Sequence, residues 1–179
     1  MISHRQLKNI ALIGFMGAGK SSVGRAVAEQ LGFEFVDTDE MIESRTGKSI
    51  TQIFATDGEA HFRDLEHKVV EQLESSKGCV ISTGGGLPTR QANIDSLKTH
   101  ALVIALCVSP ERIWERVRHQ SHRPLLQTPN PKAKILEMLA ARAPFYRQAD
   151  VLLNTDNRSM RQVVQQVVQH FKAAQARTK

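Results

Sequence analysis

Residues Lys8 to Ser21 read Lys8-Asn9-Ile10-Ala11-Leu12-Ile13-Gly14-Phe15-Met16-Gly17-Ala18-Gly19-Lys20-Ser21. The first half is a short apolar run, the mark of a buried strand. The second half fits G-x-x-x-x-G-K-[ST]. Apolar Val23, Val27, Ala28 and Leu31 then follow at helical spacing, with Gly32 just past the end. Strand, glycine-rich turn and helix are the context this motif demands. The glycines let successive backbone N–H groups turn inward and chelate an anion. The helix N-terminus adds a positive field at the same spot. Lys20 brings a point charge to the outer phosphates, and Ser21 a hydroxyl for Mg²⁺. The stretch points to a nucleoside triphosphate.

Working outward, short apolar runs alternate with helical patterns. Strands are expected over 8–14, 33–36, 78–82, 100–108 and 150–154. Helices are expected over 19–31, 40–74 (broken near Gly47 and Gly58), 110–118, 133–147 and 160–172, and the last residues, 173–179, are expected to fray. Ser109 and Pro110 suit the N-cap and first position of their helix. Residues 119–131 are polar, basic and carry Pro124, Pro129 and Pro131, so they read as a loop. No element is assigned between Gly86 and His100. Uninterrupted apolar strands alternating with helices mean an α/β chain with a parallel sheet covered on both faces.

The chain has 179 residues, a length that suggests one domain over 1–179. Its 41% hydrophobic and 23% charged residues are ordinary for a globular protein and disfavour disorder. The longest apolar run, Ala101 to Val108, is far short of the roughly 20 residues of a membrane span. No signal peptide is apparent. Cys79 and Cys107 each lie in an apolar run, as buried free thiols do, and no Cys/His spacing suggests a metal. A cytoplasmic location is expected. The net charge of +6 hints at an anionic partner.

Four further clusters carry chemistry. Asp37-Thr38-Asp39-Glu40 ends the second strand, where two acids can hold Mg²⁺ and accept a proton, or where Asp37 can simply cap a helix. Arg63 and Glu66 lie three apart on a helix. Arg63 can clamp a carboxylate while Glu66 holds the guanidinium, but the spacing alone favours an exposed helical ion pair. Thr83-Gly84-Gly85-Gly86 follows the third strand and allows close approach of a ligand to the backbone. Arg112, Arg116, Arg118 and Arg123 crowd one stretch, and the loop reads as a mobile lid, about 117–131, that carries Arg123 to the phosphates. Few aromatics lie near these arginines, which disfavours nucleic acid. His61, His67, His119 and His122 read as surface residues, and Trp114 as packing.

Taken in order, these motifs closely resemble shikimate kinase over roughly residues 8–172. They are Gly14–Ser21 (GFMGAGKS), Asp37-Thr38-Asp39, Arg45-Thr46-Gly47, Ile53-Phe54-Ala55 with Gly58-Glu59, and Phe62-Arg63 with Glu66. Then come Gly84-Gly85-Gly86, Arg123-Pro124-Leu125-Leu126 and Arg142-Ala143-Pro144-Phe145-Tyr146. The phosphate-binding loop alone is family-blind; the combination is specific. The resemblance implies a three-layer P-loop NTPase sandwich, a five-stranded parallel sheet of order 2-3-1-4-5, a substrate-binding segment over about 38–66 and a lid. It implies a phosphotransferase with an alcohol acceptor, moving the ATP γ-phosphoryl group to the 3-hydroxyl of shikimate with Mg²⁺. Asp39 would orient or deprotonate that hydroxyl, with Lys20 and Arg123 on the phosphates. Gly17, Ala18, Gly19, Lys20, Ser21, Ser22, Arg116, Arg123 and Arg158 would bind nucleotide. Arg63 and Arg142 would clamp the carboxylate beside Gly85 and Gly86, between apolar Phe54 and Phe62. Ser21 and Asp37 would organise Mg²⁺. The partners implied are small molecules, with no nucleic acid or membrane, and a monomer.

Two rivals remain at this point. A kinase for another small acid or sugar, such as gluconate, would keep the loop and lid without need of the Arg63 and Arg142 pair. A nucleotide-binding module acting on nucleic acid, or a regulatory nucleotide switch, would show a hydrophobic strand ending in Asp-Glu or a guanine signature, and Asn154-Thr155-Asp156-Asn157 is not the latter.

Overall fold

Five strands lie side by side in the order β2-β3-β1-β4-β5, every neighbouring pair parallel. The computed structural model describes residues 5–119 and 128–176. Along the chain run β1 (Asn9–Ile13), α1 (Lys20–Leu31), β2 (Glu34–Asp37), α2 (Thr38–Thr46), α3 (Ile50–Thr56), α4 (Gly58–Leu73) and β3 (Cys79–Ser82). A 3₁₀ turn over Leu87–Thr89 leads to α5 (Gln91–His100), β4 (Ala101–Cys107), α6 (Pro110–Val117), α7 (Pro131–Tyr146), β5 (Val151–Asn154) and α8 (Met160–Ala176).

The central strand shows why the sheet is sandwiched. All of β1 is buried, yet its side chains alternate between two cores. Ile10 and Leu12 pack with Val27, Val164 and Phe171 of α1 and α8. Ala11 and Ile13 pack with Ile42, Ile53, Val69 and Leu97 of α2 to α5. A strand buried on both faces reads as an unbroken apolar run for this reason.

Several expectations are adjusted. The breaks expected near Gly47 and Gly58 are there, with φ of +66° and +84°, and they divide the stretch into three helices, the first of which begins at Thr38 rather than Glu40. Helix α5 went unassigned, and His100 is its last residue rather than the first of β4. Helix α8 continues through Ala176, past the expected fraying point. Cys79 is buried, but Cys107 is only partly so; both are free. Arg123, His122 and the centre of the expected lid lie outside the described residues. No described helix is long and apolar enough to cross a membrane.

Parallel strands bring their carboxyl ends to one edge. The loop after β1, Asp37 at the end of β2 and Thr83-Gly84-Gly85-Gly86 after β3 therefore meet there, where ligands bind in such sheets. β1 separates β3 from β4, so the chain order reverses across it.

Candidate active site

The loop after β1 depends on its glycines. Gly14, Gly17 and Gly19 have φ of +142°, +75° and +92°, which side-chain-bearing residues rarely adopt. Lys20 opens α1 and is buried; its Nζ donates to the Phe15 carbonyl at 3.0 Å. Ser21 Oγ donates to Asp37 Oδ2 at 2.8 Å and lies 3.2 Å from Ser82 Oγ. The sheet makes that meeting possible, since Asp37 and Ser82 are register partners on β2 and β3. Asp37 takes the capping role weighed from the sequence and accepts from Ser21 with its other oxygen. Its Oδ1 caps α2 through the Asp39 N–H at 3.0 Å, and its Oδ2 faces Ser21. Glu40 does not complete a capping box; it pairs with Arg25.

Two cavities meet over this loop. One, of about 210 Å³, is lined by Lys20, Ser21, Asp37, Asp39 and the Thr83–Gly85 backbone. The other, of about 440 Å³, is lined by Ala18, Arg116, Thr155, Arg158, Met160 and Val163. Gly17, Gly19 and Ser22 border both. Arg116 donates to the Gly17 carbonyl at 2.9 Å, and Arg158 to that of Asn154. The arrangement is a phosphate cradle with a wider chamber on one side and a carboxylate on the other.

Beyond the carboxylate, α4 and α7 deliver two guanidinium groups to the glycine turn. Arg63 Nη1 donates to Glu66 Oε2 at 2.7 Å and Arg63 Nη2 to Glu59 Oε1 at 2.7 Å. The exposed-pair reading of Arg63 and Glu66 is corrected, because Glu66 is wholly buried. Burial pushes its carboxyl up to about 7; Arg63 opposes the rise and Asp39 adds to it. A Cβ built on Gly84 would lie 2.7 Å from Asp39 Oδ1 and 3.0 Å from Glu66 Oε1. One on Gly85 would lie 3.5 Å from Arg142 Nη1, and one on Gly86 would overlap the Arg63 guanidinium. Phe54 and Phe62 stand beside this group, their centroids 4.9 Å apart. At Gly84 and Gly86 the missing side chain thus leaves room for a charged group, while at Gly85 the nearest atom is the Met16 backbone nitrogen, at 3.2 Å.

The chain matches the family model "Shikimate kinase" over residues 16–172. The chain belongs to the shikimate kinase family. The shikimate kinase of Thermodesulfovibrio yellowstonii is 42% identical, covering 92% of this chain and 95% of the relative. Among solved structures, shikimate kinase from Acinetobacter baumannii in complex with shikimate has a TM-score of 0.89 and 40% identity, covering 96% of each chain. A gluconokinase from Sinorhizobium meliloti matches at TM-score 0.62 with 18% identity, covering 97% of each chain, a likeness of fold alone.

Within the shikimate kinase frame, the described residues bring Lys20, Ser21, Asp37, Asp39, Arg63, Gly85, Gly86 and Arg142 to one edge of the sheet, with Arg116 and Arg158 on the rim of the wider chamber. Sequence reasoning missed Ser82, Thr38 and the contribution of Tyr146. Thr38 Oγ1 accepts from the Gly84 N–H at 3.0 Å, and Tyr146 donates to the Gly85 carbonyl at 2.7 Å. Ser82 had one available signal, a polar residue closing an otherwise apolar strand.

Proposed function

We propose that this shikimate kinase family member uses ATP to phosphorylate the 3-hydroxyl of shikimate, giving shikimate 3-phosphate and ADP, in aromatic amino acid biosynthesis. The observation that carries the acceptor assignment is the approach of the Arg63 and Arg142 guanidiniums to the Gly85-Gly86 turn. Two guanidiniums at one backbone turn suit a single carboxylate, which each can grip through paired N–H donors. A gluconate kinase has no reason to keep that pair together beside Phe54 and Phe62.

Phosphoryl transfer asks a protein mainly to position and neutralise. Gly17, Ala18, Gly19, Ser22 and Lys20 would seat the phosphates, with Arg116 and Arg158 in the chamber for the nucleoside. Arg123, outside the described residues, would arrive with the lid. The acceptor hydroxyl attacks the γ-phosphorus, its O–P bond forms as the bond to the β-phosphate oxygen breaks, and its proton passes to Asp39. Ser21 and Asp37 fit Mg²⁺ as hard oxygen donors 2.8 Å apart at the phosphate loop. When bound, the ion neutralises phosphate charge. A monomer in the cytoplasm acting on small molecules completes the reading.

The test is ADP release by the purified protein with Mg-ATP, alone and with shikimate, gluconate or nucleoside monophosphates. Turnover only with shikimate supports the reading. Turnover only with another acceptor would discard the carboxylate clamp.

A further inference from the structure

The motif Arg142-Ala143-Pro144-Phe145-Tyr146 gives its first residue a place in the proposed site and leaves its last without a task. Tyr146 is the chain's single tyrosine. It is 9% exposed, and its hydroxyl donates to the Gly85 carbonyl oxygen at 2.7 Å. It stands one helical turn beyond Arg142 on α7, so both side chains share a face, and the Arg142 charge acts on the same phenol. Burial pushes the phenol up, so it stays a protonated donor at neutral pH.

That bond matters because of which peptide it holds. The Gly85 oxygen belongs to the peptide whose N–H is that of Gly86. In a planar trans peptide the two groups point opposite ways, so fixing one aims the other. With glycine on both sides, rotation of this peptide meets little steric resistance. The neighbouring peptides are held otherwise: Gly84 N–H by Thr38, Gly84 carbonyl by the Leu87 N–H, and Gly86 carbonyl by Thr89. Among the described residues the Gly85-Gly86 peptide is held by Tyr146.

We propose that Tyr146 is a positioning residue for the acceptor: its grip on the Gly85 carbonyl aims the Gly86 N–H beside Arg63 and ties that donor to the helix carrying Arg142. The inference rests on the shikimate reading above. A residue that only fills space would tolerate loss of its hydroxyl; one that aims a donor would not.

The experiment compares wild type with Tyr146→Phe, which keeps the ring, by ADP release at varied shikimate and varied ATP, with thermal unfolding alongside. The expected result is shikimate KM raised about tenfold with ATP KM within about twofold, as loss of one aimed donor predicts. A wild-type shikimate KM in the variant overturns the inference, and so does a parallel rise in both KM values. Wild type inactive on shikimate instead fails the acceptor reading itself. A second measurement needs no folded variant. Because the chain has one tyrosine, 3-fluorotyrosine incorporation labels Tyr146 alone. Its fluorine resonance should shift on adding shikimate and hold still with Mg-ATP; a resonance unmoved by saturating shikimate overturns the inference.

Discussion

Glu66 lies three residues beyond Arg63 on α4, and its Oε2 takes the Arg63 Nη1 donor at 2.7 Å while the carboxyl is fully buried. Its other oxygen is buried and has no hydrogen-bond partner among the described residues. The carboxyl rises from its usual 4.5 to about 7, so the folded chain holds that proton more tightly than the unfolded one. The resulting stabilisation is fully present below about pH 4.5 and is lost as pH rises through about 7. Across that window wild type should lose on the order of 3 kcal/mol relative to Glu66→Gln. Urea unfolding at a series of pH values checks this; a difference that does not vary with pH sinks it.

Arg63→Lys keeps the charge but not the fork. Shikimate KM should rise roughly a hundredfold, about 2–3 kcal/mol, with ATP KM little changed. Steady-state kinetics with each substrate varied decides it. Wild-type values for shikimate would remove Arg63 from the clamp.

Gly86→Ala offers a steric version of the same question. Gly86 has φ of −96°, so alanine meets no backbone strain there. The added methyl instead meets the Arg63 guanidinium. The variant should fold and bind Mg-ATP normally yet lose shikimate affinity by tenfold or more, on the order expected for a displaced charged partner. Calorimetric titration with each ligand separates the two; equal loss for both would place the damage elsewhere.

Ser82→Ala removes one of the two side chains that hold Ser21 Oγ. The hydroxyl keeps Asp37 but gains rotational freedom, so the Mg²⁺ concentration for half-maximal turnover should rise about threefold, and further in Asp37→Asn. A magnesium titration at fixed ATP measures both. No change in either variant would separate this group from the ion.

Asn93 is 1% exposed and joins two partners behind the glycine turn. Its Nδ2 donates to the Leu87 carbonyl at 2.9 Å, and its Oδ1 accepts from His67 Nδ1 at 2.8 Å. Asn93→Leu strands both and should cost about 2 kcal/mol, roughly 4–8 °C in Tm for a chain of this size. Calorimetry showing an unchanged Tm would mean that water replaces the amide without loss.

The strands were legible because each is an apolar run between turn residues, and the phosphate loop because its spacing and flanks agree. The order of the strands was not readable from local pattern; it entered through the family resemblance. Helix α5 escaped because Gln91–His100 shows only Ile94 and Leu97 on an apolar stripe and its N-cap, Arg90, makes no side-chain cap. In the site, Asp37 and Lys20 were visible in one-dimensional motifs. The character of Arg63 and Glu66 was not, since spacing cannot tell that the glycine turn and Asp39 close over Glu66. Ser82 and Tyr146 matter through partners 61 residues away in sequence, a separation that no local window spans.

The two halves of the site hang on unequal strands. β1, which leads into the phosphate loop, is the innermost strand, wholly buried and paired on both sides. β2, which ends in Asp37 and leads into the proposed acceptor segment, has one neighbour and is partly exposed along its length. Amide hydrogens on the outer strand should therefore exchange with solvent sooner than those at the centre. On gradual denaturation the molecule should forget its acceptor before it forgets its nucleotide.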